Sequence, residues 1–245
     1  MSPTLEQRLS HRLPPKRPFV MHQKWEDLLF LHWQVDAPQL QRTLPAGLHV
    51  DTFDGKAWVG MTPFFMRGVR MRFMPSLPCI SAFLETNVRT YVYDDHGRSG
   101  VWFYSLDCNQ TLAVLAARAT LSLPYRNAAM SAHVRGDGYL CYQTKRDGDA
   151  HESRFVYRLE PGGDPAQAGS LEFFLTERYL LFTQTPLGLA WLQVHHRPYP
   201  LTKADLLEWD SRLLALDGLG TFSRQPDHVI GSPGVQVKIY PPAMV

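Results

Sequence analysis

The sequence predicts a single, mainly antiparallel β domain with about three helices. Three observations carry this expectation. From Leu84 to Tyr93, polar and apolar residues alternate, which is the mark of a strand with two unlike faces. Turn signals such as Asp54-Gly55 and Gly136-Asp137-Gly138 separate β-branched and aromatic runs, as hairpins require. Aromatics make up 12% of the 245 residues and prolines number 19, a balance that favours many short strands joined by turns. No internal repeat or composition break divides the chain. Residues 1–20 therefore read as a polar, proline-bearing arm, packed loosely or against a partner subunit, and 21–245 as one domain.

Composition excludes several classes. The net charge of +2 is too weak to imply nucleic acid or an anionic membrane as partner. No apolar run reaches the ~18 residues of a membrane-spanning helix, and the N-terminus lacks the apolar core of a signal peptide. Cys79, Cys108 and Cys141 are odd in number and have no CxxC spacing, which points to reduced thiols in a cytoplasmic protein.

Along the chain, Trp25–Val35 is a continuous apolar run in which Leu28–Val35 reads as a buried strand with His32 and Gln34 on one face, a helix being the alternative that periodicity leaves open. Asp36 is placed to cap a helix with Pro38 in its first turn and Leu40 and Leu44 buried. His49–Phe53 and Ala57–Phe65 flank Asp54-Gly55 as a hairpin. Met66–Pro78, with three arginines among Met and Phe, reads as a basic loop or flap. Leu84–Tyr93 and Val101–Leu106 form the central hairpin around Asp94–Gly97. Asp107 and Asn109 are placed to cap a helix from Gln110 to Ala119, and Pro124 ends regular structure at a Leu-Pro-Tyr corner. His133–Arg135 pairs with Tyr139–Thr144, and Phe155–Leu159 with Leu171–Leu175. Ser170–Gln184 reads as one long strand or two. Thr202 reads as the cap of an amphipathic helix through Leu206, Leu207, Leu213 and Leu214, ending before Gly218. Val235–Tyr240 is the final strand.

Glu85, Asn87 and Arg89 share one face of the central strand. They form either a solvated face or structural ion pair, or the wall of a cavity, since inward and outward residues alternate on a barrel strand. His32 reads either as a satisfied core residue or as a ligand contact. The sequence holds no HExxH or paired-cysteine zinc pattern, no GxGxxG or GxxxxGK[ST] phosphate loop and no GxSxG elbow. Neither a metal nor a cofactor is expected.

The chain resembles the YqjF-like family of bacterial proteins. The resemblance runs from about Met21 to Pro241, through W-x-x-L-L-F-L-H-W at Trp25–Trp33, L-P-A-G-L at Leu44–Leu48 and D-T-F-D-G-K-A-W-V-G at Asp51–Gly60. Its strongest blocks are E-T-N-V-R-T-Y-V at Glu85–Val92 and G-V-W-F-Y-S-L-D at Gly100–Asp107. L-P-Y-R-N-A at Leu123–Ala128 and F-L-T-E-R-Y at Phe174–Tyr179 complete it. That family is similar to the acetoacetate decarboxylases, which implies a closed, mainly antiparallel β-barrel or cone with flanking helices and an internal ligand cavity.

Acetoacetate decarboxylases use a lysine that forms a Schiff base with a keto acid, tuned by a second lysine beside it, just after a proline. Here Pro124 is followed by Tyr125 and Arg126, neither of which is an amine nucleophile. The positions of the decarboxylase's pocket arginine and of one pocket glutamate fall near Glu26 and Gly60, while the other glutamate corresponds to Glu85. Lys238, on the last strand, is the one lysine whose place suits an interior amine. The resemblance therefore implies a cavity for a small organic acid or carbonyl compound without Schiff-base decarboxylation. Glu85, Tyr125 and Arg126 are the candidate acid/base and clamp residues, and Arg89, Asn87 and His32 the candidate ligand contacts. Glu85 is expected to be ionised, held by an arginine. Two alternatives stand beside this: a non-catalytic small-ligand binder, and a structural or interaction protein. Apolar Trp- and Leu-rich segments further predict a homodimer.

Overall fold

The computed structural model describes residues 2–77, 80–112 and 122–245. In chain order the elements are α1 (Leu5–Ser10), β1 (Met21–Val35), α2 (Ala37–Gln41), β2 (Leu48–Val50), β3 (Ala57–Met71), β4 (Phe83–Asp94) and β5 (Ser99–Cys108). Then come β6 (Tyr125–Val134), β7 (Leu140–Arg146), β8 (Ser153–Leu159), α3 (Leu171–Thr176), β9 (Leu180–Thr185) and β10 (Gly188–His195). The chain ends with β11 (Ala204–Glu208), α4 (Arg212–Leu216), β12 (His228–Ile239) and β13 (Ala243–Met244). The protein is mainly β, and its helices are short.

The strands close on themselves. The order β5-β9-β10-β12-β1-β3-β4 is completed by a β4–β5 pairing, so the path returns to its first strand. A closed ring has no free edges to protect. All of its contacts are antiparallel except β5–β9, where Val101 faces Leu181 in parallel. Gly100 permits that junction: a Cβ there would stand 2.5 Å from the Leu180 carbonyl oxygen. Beyond β5 the sheet continues as a wing, β6-β7-β8-β11, that folds over the outside of the ring.

This arrangement explains why β1 reads as an unbroken apolar run. Leu28 and Phe30 belong to the core inside the ring, while Leu29, Leu31 and Trp33 belong to a second core with Tyr142, Phe155 and Tyr157 of the wing. A strand buried on both faces has no polar face to alternate with.

Several sequence expectations change. β2 pairs with β4, not with β3, and the Asp54-Gly55 turn closes only a single bridge between Phe53 and Lys56. Met66–Met71 is not a loop but the end of β3, paired with β1 and, at Met66, with β4. Leu171–Thr176 is a helix, because Ser170 caps it through the Phe173 N–H and its Phe-Phe-Leu run buries in the core. Ala204–Glu208 is a strand, not the start of a helix. Pairing with β8 satisfies its backbone, and only Arg212–Leu216 is helical. Asp107 and Asn109 are not free to cap a helix: Asp107 accepts from Arg146, and Asn109 Oδ1 accepts from the Leu84 N–H. The expected helix to Ala119 lies largely outside the described residues, as does Cys79. Among the described residues, no helix is long and apolar enough to cross a membrane.

Nor is the N-terminal arm loose. Thr4 and Gln7 form a reciprocal capping box for α1. Arg8 then reaches Asp51, donating from Nη2 to Oδ1 at 2.7 Å. Asp51 is wholly buried and also accepts from Arg178 Nη1 at 2.7 Å. Burial alone would raise the Asp51 pKa, but Arg178 and Arg8 together outweigh it and hold it below the usual carboxylate range. Replacing Asp51 with Ala leaves Arg178 buried without its counter-charge. The expected loss is ~3–5 kcal/mol of stability, read by denaturant unfolding. A change below ~1 kcal/mol would show that the triad is not an anchor.

Candidate functional site

A cavity of about 310 Å³ lies inside the ring. Most of its wall is apolar, with Trp25 and Leu28 from β1, Phe64 and Met66 from β3, Val101, Phe103 and Leu106 from β5, and Leu192 and Ile239 across the ring. Into this apolar space β4 projects Glu85, Asn87 and Arg89, one at every second residue. The opposite parity of the same strand supplies Leu84 and Val88 to the outer core. A half-polar strand can be buried on both sides only if its polar face lines an internal site or is otherwise paired.

The three polar residues differ in their partners. Tyr125 enters from the first position of β6, whose parallel register sets it beside Leu106 of β5, the residue facing Asn87 on β4. Its hydroxyl donates to Glu85 Oε2 at 2.9 Å. Burial pushes the Glu85 carboxyl up to about 8, against the pull of the Tyr125 and Asn87 hydrogen bonds. The Tyr125 phenol is held well above its ordinary value by burial and then by the Glu85 charge. The pair is therefore a neutral acid beside a neutral phenol at pH 7. No arginine among the described residues pairs with Glu85, which corrects the expectation of an ionised, arginine-held carboxylate.

Arg89 is the reverse case. Its guanidinium lies over the Phe30 ring at 5.2 Å and the Tyr91 ring at 5.9 Å. Its Nε and Nη2 are buried with no hydrogen-bond partner. Asn87 Oδ1 and, facing it on β3, Thr62 Oγ1 are also buried without partners. Arg178 lines the cavity as well and keeps Nη2 unpartnered although Nη1 binds Asp51.

Two candidate residues stand elsewhere. Arg126 is exposed and does not line the cavity. Tyr125 and Arg126 are neighbours on one strand, so they point to opposite faces and only one can look inward. His32 is fully buried but is not part of the cavity wall. It stacks beside Phe30, and its Nδ1 lies 3.0 Å from His228 Nδ1. Burial, then His228 and Arg89, hold it well below its ordinary pKa, so it is a neutral core imidazole. Lys238 is exposed, in a separate surface cleft with His22 and His195. Among the described residues no lysine lines the cavity. Nor does any group of three or more His, Cys, Asp or Glu side chains among them offer a metal site.

Arg178, Thr62 and Tyr199 are cavity residues not marked as such in the sequence. Arg178 sits inside the F-L-T-E-R-Y block, and nothing local signals that it faces inward. It follows the end of a helix, where no two-residue period applies.

The ring, the wing and the enclosed site define the fold of the acetoacetate decarboxylase-like proteins. An acetoacetate decarboxylase from Legionella pneumophila superposes with a TM-score of 0.60 at 13% identity, covering 98% of this chain and 94% of that one. The enduracididine biosynthesis enzyme MppR complexed with pyruvate gives a TM-score of 0.57 at 15% identity, covering 91% and 88%. The chain belongs to the DUF2071 family, described as an uncharacterized conserved protein, whose model matches residues 22–236. Within reach of that family, the uncharacterized protein YqjF of Bacillus subtilis (strain 168) is 40% identical over 189 residues, 76% of this chain and 77% of its own length.

The raised Glu85 pKa fixes a sign for stability against pH. The folded state holds a proton on Glu85 that the unfolded chain releases near its ordinary value of 4.5. The contribution is fully present below about pH 4.5 and is lost as pH rises towards about 8. Glu85→Gln is expected to flatten that decline in thermal melts between these limits. An unchanged slope would mean Glu85 is not the group. Tyr125→Phe removes a hydrogen bond to the carboxylate, so the Glu85 titration, followed by its infrared carboxyl band, should move upward; a downward move would contradict the assignment.

Proposed function

We propose that this protein binds a small organic acid or carbonyl compound inside the ring and exchanges a proton with it, without forming a Schiff base. The carrying observation is that one apolar cavity holds Arg89, whose Nε and Nη2 are buried without partners, and Glu85, whose carboxyl is pushed up to about 8 by burial. Arg89 supplies a charge-assisted, two-pronged contact to a carboxylate. Glu85 is poised near neutrality, the range in which a general acid or base works best, and Tyr125 orients it. Asn87 Oδ1 and Thr62 Oγ1 offer further polar contacts on the same wall.

That the pyruvate-complexed MppR shares the fold supports an oxo acid as the class of ligand. The lining without lysine argues against imine chemistry, because Tyr125 and Arg126 stand after Pro124 and Lys238 is on the surface. Treating the protein with pyruvate and borohydride is expected to leave its intact mass unchanged. A reduced adduct on any lysine would restore the imine route.

Proton exchange is testable without knowing the physiological substrate. The ionised form of Glu85, which grows as pH rises towards about 8, takes a hydrogen from the carbon beside the carbonyl, and its protonated form returns a solvent-derived one. In deuterium oxide a bound oxo acid should therefore exchange hydrogen there, read by NMR, and faster as pH rises towards about 8. Glu85→Gln should slow that exchange by ~10²–10⁴ while leaving binding in place. Exchange that persists unchanged in the variant would remove Glu85 from the chemistry. Arg89→Met is expected to abolish the rise in melting temperature that a carboxylate ligand produces.

A further inference from the structure

We infer that the cavity's ligand is an elongated oxo acid that enters carboxylate first, with its carboxylate on Arg89 and an uncharged carbonyl, several bonds away, on the Glu85–Tyr125 pair. This rests on reading the cavity as an organic-acid site and names the class of acid.

The order of the polar groups along the cavity comes from the strand register. Arg70, Met71 and Leu112 line the cavity and are exposed, so they mark its mouth. β3 leads inward from that mouth. Met66 faces Phe83, Phe64 faces Glu85, Thr62 faces Asn87, and Gly60 faces Arg89. Glu85 therefore stands between the mouth and Arg89. An acid entering here passes the neutral carboxyl first and meets the guanidinium last.

The spacing sets the ligand's length. Four residues of extended strand separate Glu85 from Arg89 by ~13 Å. The Arg89 guanidinium lies over Phe30 and Tyr91. Arg89 makes no hydrogen bond or ion pair with Glu85 and is not among the groups that shift its carboxyl. A compound with its carbonyl and carboxylate on adjacent carbons can meet one of them but not both. The volume agrees: about 310 Å³ matches roughly ten waters at ~30 Å³ each, more than a three-carbon acid fills.

Charge sets the identity of each end. Arg178 shares its charge with Asp51, but Arg89 has no carboxylate partner among the described residues. Arg89 is half-buried, but its Nε and Nη2 are buried without partners, which is costly, and a ligand carboxylate relieves that cost. At Glu85 the available group is an O–H, which donates to a carbonyl and repays nothing to a second carboxylate. Between these ends and at the mouth the wall is Phe64, Met66, Leu106 and Met71, which suits a methylene chain.

Calorimetric titration of the whole protein tests this with four probes: an oxooctanoate carrying its ketone at the penultimate carbon, octanoate, the methyl ketone of the same length, and pyruvate. The oxooctanoate is expected to bind ~10-fold more tightly than octanoate, the gain of one neutral hydrogen bond, and by at least that factor more tightly than the ketone, which lacks the charged contact, and than pyruvate. Arg89→Met should make the oxo acid and the ketone equal, and Arg89→Lys should restore part of the difference. Glu85→Leu should make the oxo acid equal to octanoate, whereas Glu85→Gln, which still donates, should keep the preference. If pyruvate binds as tightly as the oxooctanoate, the elongated ligand is wrong while the organic-acid site stands. If no carboxylate binds and Arg89→Met changes nothing, both fall.

Discussion

β4 is bonded along both edges and buried on both faces, and the rest of the molecule is arranged around that constraint. Its pairing with β3 on one side and β5 on the other closes the ring. Closure satisfies the backbone, yet it also commits every second side chain of β4 to a space without bulk water. The other parity packs under the wing. Glu85, Asn87 and Arg89 consequently occupy an interior that ordinary core packing would fill with Leu or Val. The wing covers the outer face of the ring, and the tight β5–β9 junction at Gly100 completes its circuit.

The dry interior then decides what each group is. The same surroundings drive a carboxyl towards neutrality at Glu85 and leave two N–H groups of Arg89 without acceptors. Two residues on one strand thus become a hydrogen-bond donor and a cation. Asp51 shows what happens where the chain supplies the counter-ion: with two arginines against it, burial fails to raise its pKa. What separates the Asp51 cluster from Arg89 is the presence of that one carboxylate.

Much of this was legible in the sequence where a two-residue period ran long enough. The faces of residues 84–93, the partner strand at 101–106 and the buried run at 28–35 all follow from alternation or its absence. Misreadings fell where local pattern and tertiary pairing disagree. Leu171–Thr176 has the aromatic content of a strand, but a serine cap and short length let it turn helical. Ala204–Glu208 has leucines at helical spacing, but β8 needed an edge partner there. Arg126 was assigned inward beside Tyr125 although strand parity forbids both from pointing the same way. His32 lies beside the site, yet its own neighbours fill the space around it. Arg178 comes to the cavity through the fold alone, so no reading of nearby residues would have placed it.

Asp51 holds one arginine from the arm and one from the cavity wall, and this makes it a shared counter-ion. An anion that approaches Arg178 from inside the ring competes with Asp51 for the same guanidinium. An anion that altered the Arg8–Asp51 contact in this way would have its own affinity altered by arm docking by the same factor. The terminal segment and one guanidinium of the cavity wall thus lean on a single carboxylate.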